Sequence, residues 1–129
     1  MFQVNPPTRQ RIALTVAELN GCDYCLSAHT YLGKHMAKLD DAEMVDNQRG
    51  VSSDAKANAA LVFAAKVVRE RGHVNDADVQ AVKAAGYDDG QVVEIILHVA
   101  LNTLTNYVNS ALGTEIDFPV VSRLTERAA

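Results

Sequence analysis

Apolar residues recur along this chain at intervals of three and four, the spacing of a helix with one buried face. Ile12, Ala13, Val16, Ala17 and Leu19 form the first such set. Pro6 and Pro7 suit its opening turn, Asn5 can cap it, and Asn20-Gly21 can close it. A second helix is expected from Cys22 or Asp23 to about Lys38. A short third one follows Asp40-Asp41 and ends near Gly50. Ser52-Ser53-Asp54 opens an alanine-rich fourth helix that stops by Gly72. Asn75 or Asp76 opens a fifth, closed by Gly86. The sixth and longest starts at Asp88 or Asp89 and reaches about Leu112, with Gly113 behind it. Pro119 argues against a continuous helix in the tail. No window alternates with period two. The valines and isoleucines of 92–99 make too long a run for a strand, and their flanks carry helix caps. The expected fold is all-α, one domain over 1–129, a bundle of about six helices.

Composition narrows the possibilities. The chain has 129 residues, 48% of them hydrophobic and 22% charged, which suits one globular domain. Aromatics are only 5% and tryptophan is absent, so close packing on alanine and valine is expected. The net charge is -4 with acids and bases interleaved. No basic stripe or aromatic pair suggests nucleic acid as a partner. The first ten residues lack an apolar signal-like region, and no run approaches the roughly 20 apolar residues of a membrane span. The expectation is a cytoplasmic protein that binds neither nucleic acid nor membrane, in a reducing compartment. Its two cysteines, Cys22 and Cys25, lie too close in sequence for their disulfide to staple the fold, so redox or metal chemistry is favoured.

The segment Asn20-Gly21-Cys22-Asp23-Tyr24-Cys25-Leu26-Ser27-Ala28-His29-Thr30 carries the chemistry. On a helix, Cys22 and Cys25 are three apart and Cys25 and His29 four apart, so all share one face. A helix start favours an anion, which would make a thiolate there more accessible. His29, one turn deeper, can take or return a proton. One cysteine could then attack a peroxide or disulfide, and the other could trap the product before over-oxidation. A c-type haem site would need histidine where Leu26 stands. A zinc finger needs wider spacing, although His35 could join a rearranged metal site. An iron–sulfur cluster normally takes four cysteines. A thioredoxin-like fold would put a strand before the motif. Redox chemistry, a metal site and two merely buried cysteines all remain open on spacing alone.

The pattern Asn-Gly-Cys-x-Tyr-Cys-x-x-x-His-Thr, between an alanine/valine helix and a second helix, resembles the AhpD-like alkylhydroperoxidase core. That core belongs to the carboxymuconolactone decarboxylase superfamily, and the likeness is nearest to its peroxidase-related branch. The motif core spans 8–38, and the final helix, about 89–112, is also similar. The resemblance implies an all-helical antioxidant protein that forms homo-oligomers, commonly trimers or hexamers. It implies a peroxidase with a reversible Cys22–Cys25 disulfide and no haem, metal or other cofactor. Its partners would be a peroxide and an external thiol or dithiol reductant. By position, Cys25 matches the peroxidatic cysteine, Cys22 the resolving one and His29 the relay histidine. The helix-start argument alone would favour Cys22 as the more acidic thiol.

Two positions depart from the family pattern. Tyr24 stands where a histidine is common, and a phenol is a poor proton shuttle near neutral pH. Gln10 stands where the family has its relay glutamate, and an amide cannot titrate. Glu18, one turn before Cys22, is a candidate replacement. Relatives also usually carry a preceding helix, so either this chain is trimmed or its oligomer interface differs. The last helix reads as mainly apolar with a polar stripe: Glu94, His98, Asn102 and Asn106, with Asn109 near it. Such a stripe needs partners. It can be an interface seam, an internal network, or, through His98, the missing part of the relay. Alternative functions are a general thiol–disulfide oxidoreductase and a non-enzymatic oligomeric binding module. A muconolactone decarboxylase is more distant, because that branch does not rely on this thiol pair.

Overall fold

The structure is a computed structural model and describes residues 2–124. Among the described residues it contains six α-helices: α1 (Pro6–Asn20), α2 (Asp23–His35), α3 (Asp41–Gln48), α4 (Ala55–Arg69), α5 (Asp76–Ala84) and α6 (Asp89–Leu112). No strand occurs among the described residues. The starts follow from short polar side chains. Asn5, Asp40, Asp54, Asn75 and Asp88 each accept the N–H of the residue three positions on. A cap of this kind stabilises by about 1 kcal/mol. Gly21 closes α1 in the left-handed conformation, with φ 70°, and Gly113 closes α6 at φ 61°.

One boundary differs from expectation. α2 ends at His35 rather than near Lys38. The N–H groups of Met36 and Ala37 both reach the Leu32 carbonyl, and Leu39 N–H reaches Gly33. Lys38 takes φ 60°, which turns the chain away from the helix.

α1 is the central element and packs against α2, α3, α4 and α6. Its two flanks serve two cores. Ile12 and Val16 join Leu61, Ala64, Val82, Ile95 and Val99 in the larger one. Leu14 and Ala17 join Cys22, Cys25, Leu26, Leu39 and Met44 in the smaller. The thiols are therefore core residues, 2% and 3% exposed.

A buried carboxylate locks α1 to α3. Glu43 accepts from Arg11 Nε at 2.8 Å, Asn47 Nδ2 at 2.9 Å, Ser53 N at 3.0 Å, Ser53 Oγ at 2.9 Å, and Ser52 Oγ. Burial alone would raise its pKa, but these donors outweigh burial and hold it down to about 2.

α6 turns its polar stripe inward. Glu94, His98, Asn102 and Asn106 are buried, whereas Val93, Ile96, Leu97, Leu101, Leu104, Tyr107, Val108 and Leu112 are exposed. Apart from Asn106 Nδ2, the inward groups find partners. Glu94 accepts from the N–H groups of Gln3 and Val4 and from His98 Nε2, at 2.9 Å for the last. Asn102 Nδ2 donates to the His98 carbonyl, and Asn106 Oδ1 accepts from Asn20 Nδ2. The stripe thus ties the N-terminal segment and the end of α1 to α6. No helix is long and apolar enough to cross a membrane among the described residues.

The chain after α6 is not helical through residue 123, and it lies across the start of α2. Val121 N–H donates to Ser27 Oγ at 2.8 Å, and Phe118 packs edge-on against Tyr24. Leu124 N–H donates to Glu18.

Candidate active site

Cys22 occupies the cap position of α2, where an oxygen-bearing side chain normally stands. Its backbone is extended, and its Sγ accepts the N–H of Cys25 at 3.3 Å. Both thiols are free. Asn109 Nδ2, from α6, donates to Cys25 Sγ at 3.5 Å. Ser110, also from α6, lies beside the Cys22 side chain. The pair therefore lies where the end of α1, the start of α2 and the end of α6 meet, with Val121 packed on the same cluster.

This burial reverses one expectation from sequence. The helix start was expected to depress the Cys22 pKa. Burial instead pushes it up to about 11, aided by the neighbouring Cys25 thiol, and the N–H donated by Cys25 only partly offsets this. At neutral pH Cys22 is thus a thiol, not a thiolate.

His29 sits one turn beyond Cys25 on α2. Its Nδ1 is 2.8 Å from Gln10 Oε1 on α1, so position 10 does reach the histidine. With the amide oxygen accepting, the proton rests on Nδ1. Burial lowers the His29 pKa to about 4, so the imidazole is neutral at pH 7. Among the described residues no hydrogen bond joins His29 to either thiol.

The other sequence candidates fall in different places. The Glu18 carboxylate accepts from Gln48 Nε2 at 2.9 Å and from Leu124 N, and no hydrogen bond takes it to the thiols or to His29. It anchors the tail. Tyr24 is raised above the usual phenol value, first by desolvation and then by the neighbouring Asp117 carboxylate, so it keeps its proton near pH 7 and does not shuttle it. His98 is bonded to Glu94 but also faces a cleft of about 300 Å³ that it shares with His29 and Gln10. His35 packs against Tyr31. No three His, Cys, Asp or Glu side chains converge on a possible metal position among the described residues.

Sequence reading did not single out Ser27 or Arg9. Ser27 stands two positions from Cys25, but its partner Val121 is 94 residues away. Arg9 lines the same cleft as the two histidines, and its neighbour Gln10 was the only local signal.

Residues 3–70 match the family described as the carboxymuconolactone decarboxylase family. Among solved structures, the fold is similar to a peroxidase-related protein from Silicibacter sp. TM1040, with TM-score 0.78 and 26% identity. The alignment covers 94% of this chain and 62% of that one, so this chain spans under two thirds of that protein's length. No curated protein matches.

Proposed function

The chain belongs to the carboxymuconolactone decarboxylase family and has its AhpD-like all-helical fold, and on that premise we propose that it is a thiol-dependent peroxidase acting on hydrogen peroxide or alkyl hydroperoxides. The observation that carries this reading is the pair of free, adjacent thiols at the start of α2, with the Cys25 N–H donated to Cys22 Sγ, one turn before a histidine.

The roles follow from the local chemistry. Cys22 is held as a neutral thiol, which suits the second step. Cys25 is the nucleophile, and Asn109 steadies its sulfur. The Cys25 thiol gives up its proton with neutral His29, four residues on along α2, as the base. Its sulfur attacks the outer peroxide oxygen, the O–O bond breaks, and the leaving alkoxide takes that proton as the alcohol. The resulting sulfenic acid on Cys25 is attacked by the Cys22 sulfur. The S–O bond breaks, the oxygen leaves as water with the Cys22 proton, and a Cys22–Cys25 disulfide forms. An external thiol or dithiol then reduces the disulfide and is itself oxidised. No metal or organic cofactor takes part in these steps.

The exposed apolar face of α6 supports a homo-oligomer. Val93, Leu97, Leu104 and Tyr107 are 65%, 46%, 59% and 62% exposed, and α6 carries no Lys or Arg. An apolar patch along a 24-residue helix is more than a monomer usually presents.

A second reading is a general thiol–disulfide oxidoreductase on the same residues. It is favoured by Gln10, which gives His29 no charged partner and leaves it a weak base. Stopped-flow oxidation by hydrogen peroxide and cumene hydroperoxide, beside turnover of a small disulfide, tests both. The peroxidase reading expects faster peroxide reaction than free cysteine, lost in Cys25→Ser. It fails if neither cysteine outpaces free cysteine, and fast reaction with the disulfide alone selects the second reading.

A further inference from the structure

The cleft that holds His29 and His98 has an unused cation in its wall. Arg9 projects from α1, and its Nε is buried without a hydrogen-bond partner. No carboxylate pairs with it among the described residues. Its guanidinium carbon sits 5.3 Å from the centre of the Phe2 ring, and Phe2 in turn stands edge-on to His98 at 4.8 Å. Phe2 is thus sandwiched between Arg9 and an imidazole, with the segment behind it pinned by Glu94 through Gln3 and Val4. A partly buried arginine without an anion is costly, and such a group is normally paired.

The rest of the wall fits a ligand with one charged end. Phe2 and Leu101 are apolar, whereas Gln10, His29 and Asn102 are polar. The volume of about 300 Å³ is at the lower end for small-molecule sites. The titratable groups around the cleft are Arg9 from α1, His29 from α2, and His98 with Glu94 from α6. Glu94 is already engaged by two backbone N–H groups and His98. Arg9 is therefore the charge left over.

We propose that this cleft binds a small organic carboxylate, with the Arg9 guanidinium on the carboxylate and Phe2 and Leu101 along its apolar body. Guanidinium and carboxylate match as a planar, two-toothed pair. The ligand would also bring a negative charge to His29, which Gln10 does not supply. Binding and protonation of His29 then favour each other, so a bound carboxylate raises the midpoint of His29 protonation. The site needs no peroxide chemistry, and its test stands apart from that of the thiols.

Benzoate is a suitable probe, with benzamide as its uncharged counterpart. The histidine Cε1–H resonances of the reduced full chain are followed by NMR as each is added. Benzoate is expected to shift His29 and His98 saturably and to raise the midpoint of His29 protonation. It should bind about tenfold or more tightly than benzamide, and Arg9→Gln should remove that preference. Arg9→Lys should keep part of it. Equal response to benzoate and benzamide, or an unchanged benzoate response in folded Arg9→Gln, overturns the proposal. Should Arg9→Gln fail to fold, the comparison of the two probes on the unaltered protein decides by itself.

Discussion

Replacing Gln10 by Glu tests how the site handles its proton. The amide oxygen of Gln10 lies 2.8 Å from His29 Nδ1, and the substitution changes almost nothing but charge. His29 is now held down at about 4 by burial, with no anion to offset it. A carboxylate in hydrogen-bond contact raises a histidine by about one to three units. A middle value puts His29 near about 6, a gain of about 2.7 kcal/mol for the imidazolium at 1.36 kcal/mol per unit. The desolvation of the new carboxylate lessens the gain but does not reverse it while that carboxylate is ionised. An NMR titration of the His29 Cε1–H signal reads the shift directly. If His29 is the base for Cys25, iodoacetamide alkylation of Cys25 near pH 7 should rise roughly tenfold or more in the variant. An unmoved His29 midpoint in a folded variant would refute the reasoning about burial and missing charge. A raised midpoint with unchanged alkylation would refute the pairing of His29 with Cys25.

Further outcomes are expected. Glu43→Gln should destabilise the fold by on the order of 3 kcal/mol, read by urea denaturation, because five donors converge on that carboxylate. In the unaltered protein the same group, lowered to about 2, contributes stability that is complete above its ordinary value of 4.5 and lost as pH falls toward 2. His29 adds to this acid sensitivity in a higher window. Its folded pKa is about 4 against an ordinary 6.5, so the unfolded chain takes up the proton first and stability declines between those values. Ser27→Ala removes the acceptor of Val121 N–H, and losing about 1 kcal/mol there should raise thiol labelling by iodoacetamide about fivefold. Unchanged labelling would mean that the tail does not shield the pair. Leu104→Glu, on the exposed face of α6, should shift sedimentation toward the monomer without lowering the melting temperature of the protomer; an unchanged sedimentation coefficient would place self-association elsewhere.

The helix count, the caps and the placement of Cys22, Cys25 and His29 at the start of one helix were legible because they rest on local chemistry. Asp88 and Gly113 bracket α6 as their side-chain and backbone preferences require. The four-residue spacing of Glu94, His98, Asn102 and Asn106 was equally plain, but which face turns inward was not. Hydropathy alone argues for burying the leucines. The structure buries the polar stripe because Gln3, Val4 and Asn20 bring hydrogen-bonding groups to it from far along the chain. The thiol was misjudged for a related reason. A helix start stabilises an anion locally, but Val121, Asn109 and Ser110 arrive from the other end of the sequence and exclude water. The Gln10–His29 contact, by contrast, followed from the family pattern and survives without its charge.

The central claim is that Cys22 and Cys25 act as one redox unit. Its most direct measurement is peptide-resolved mass spectrometry after adding one equivalent of hydrogen peroxide to the reduced protein. The account predicts a peptide that has lost both thiol hydrogens, with Cys22 bonded to Cys25. In Cys22→Ser it predicts an oxygen retained on Cys25 as sulfenic acid, trapped by dimedone. Both cysteines still reduced after that treatment, or oxidation that gives only bonds between separate chains, would contradict it.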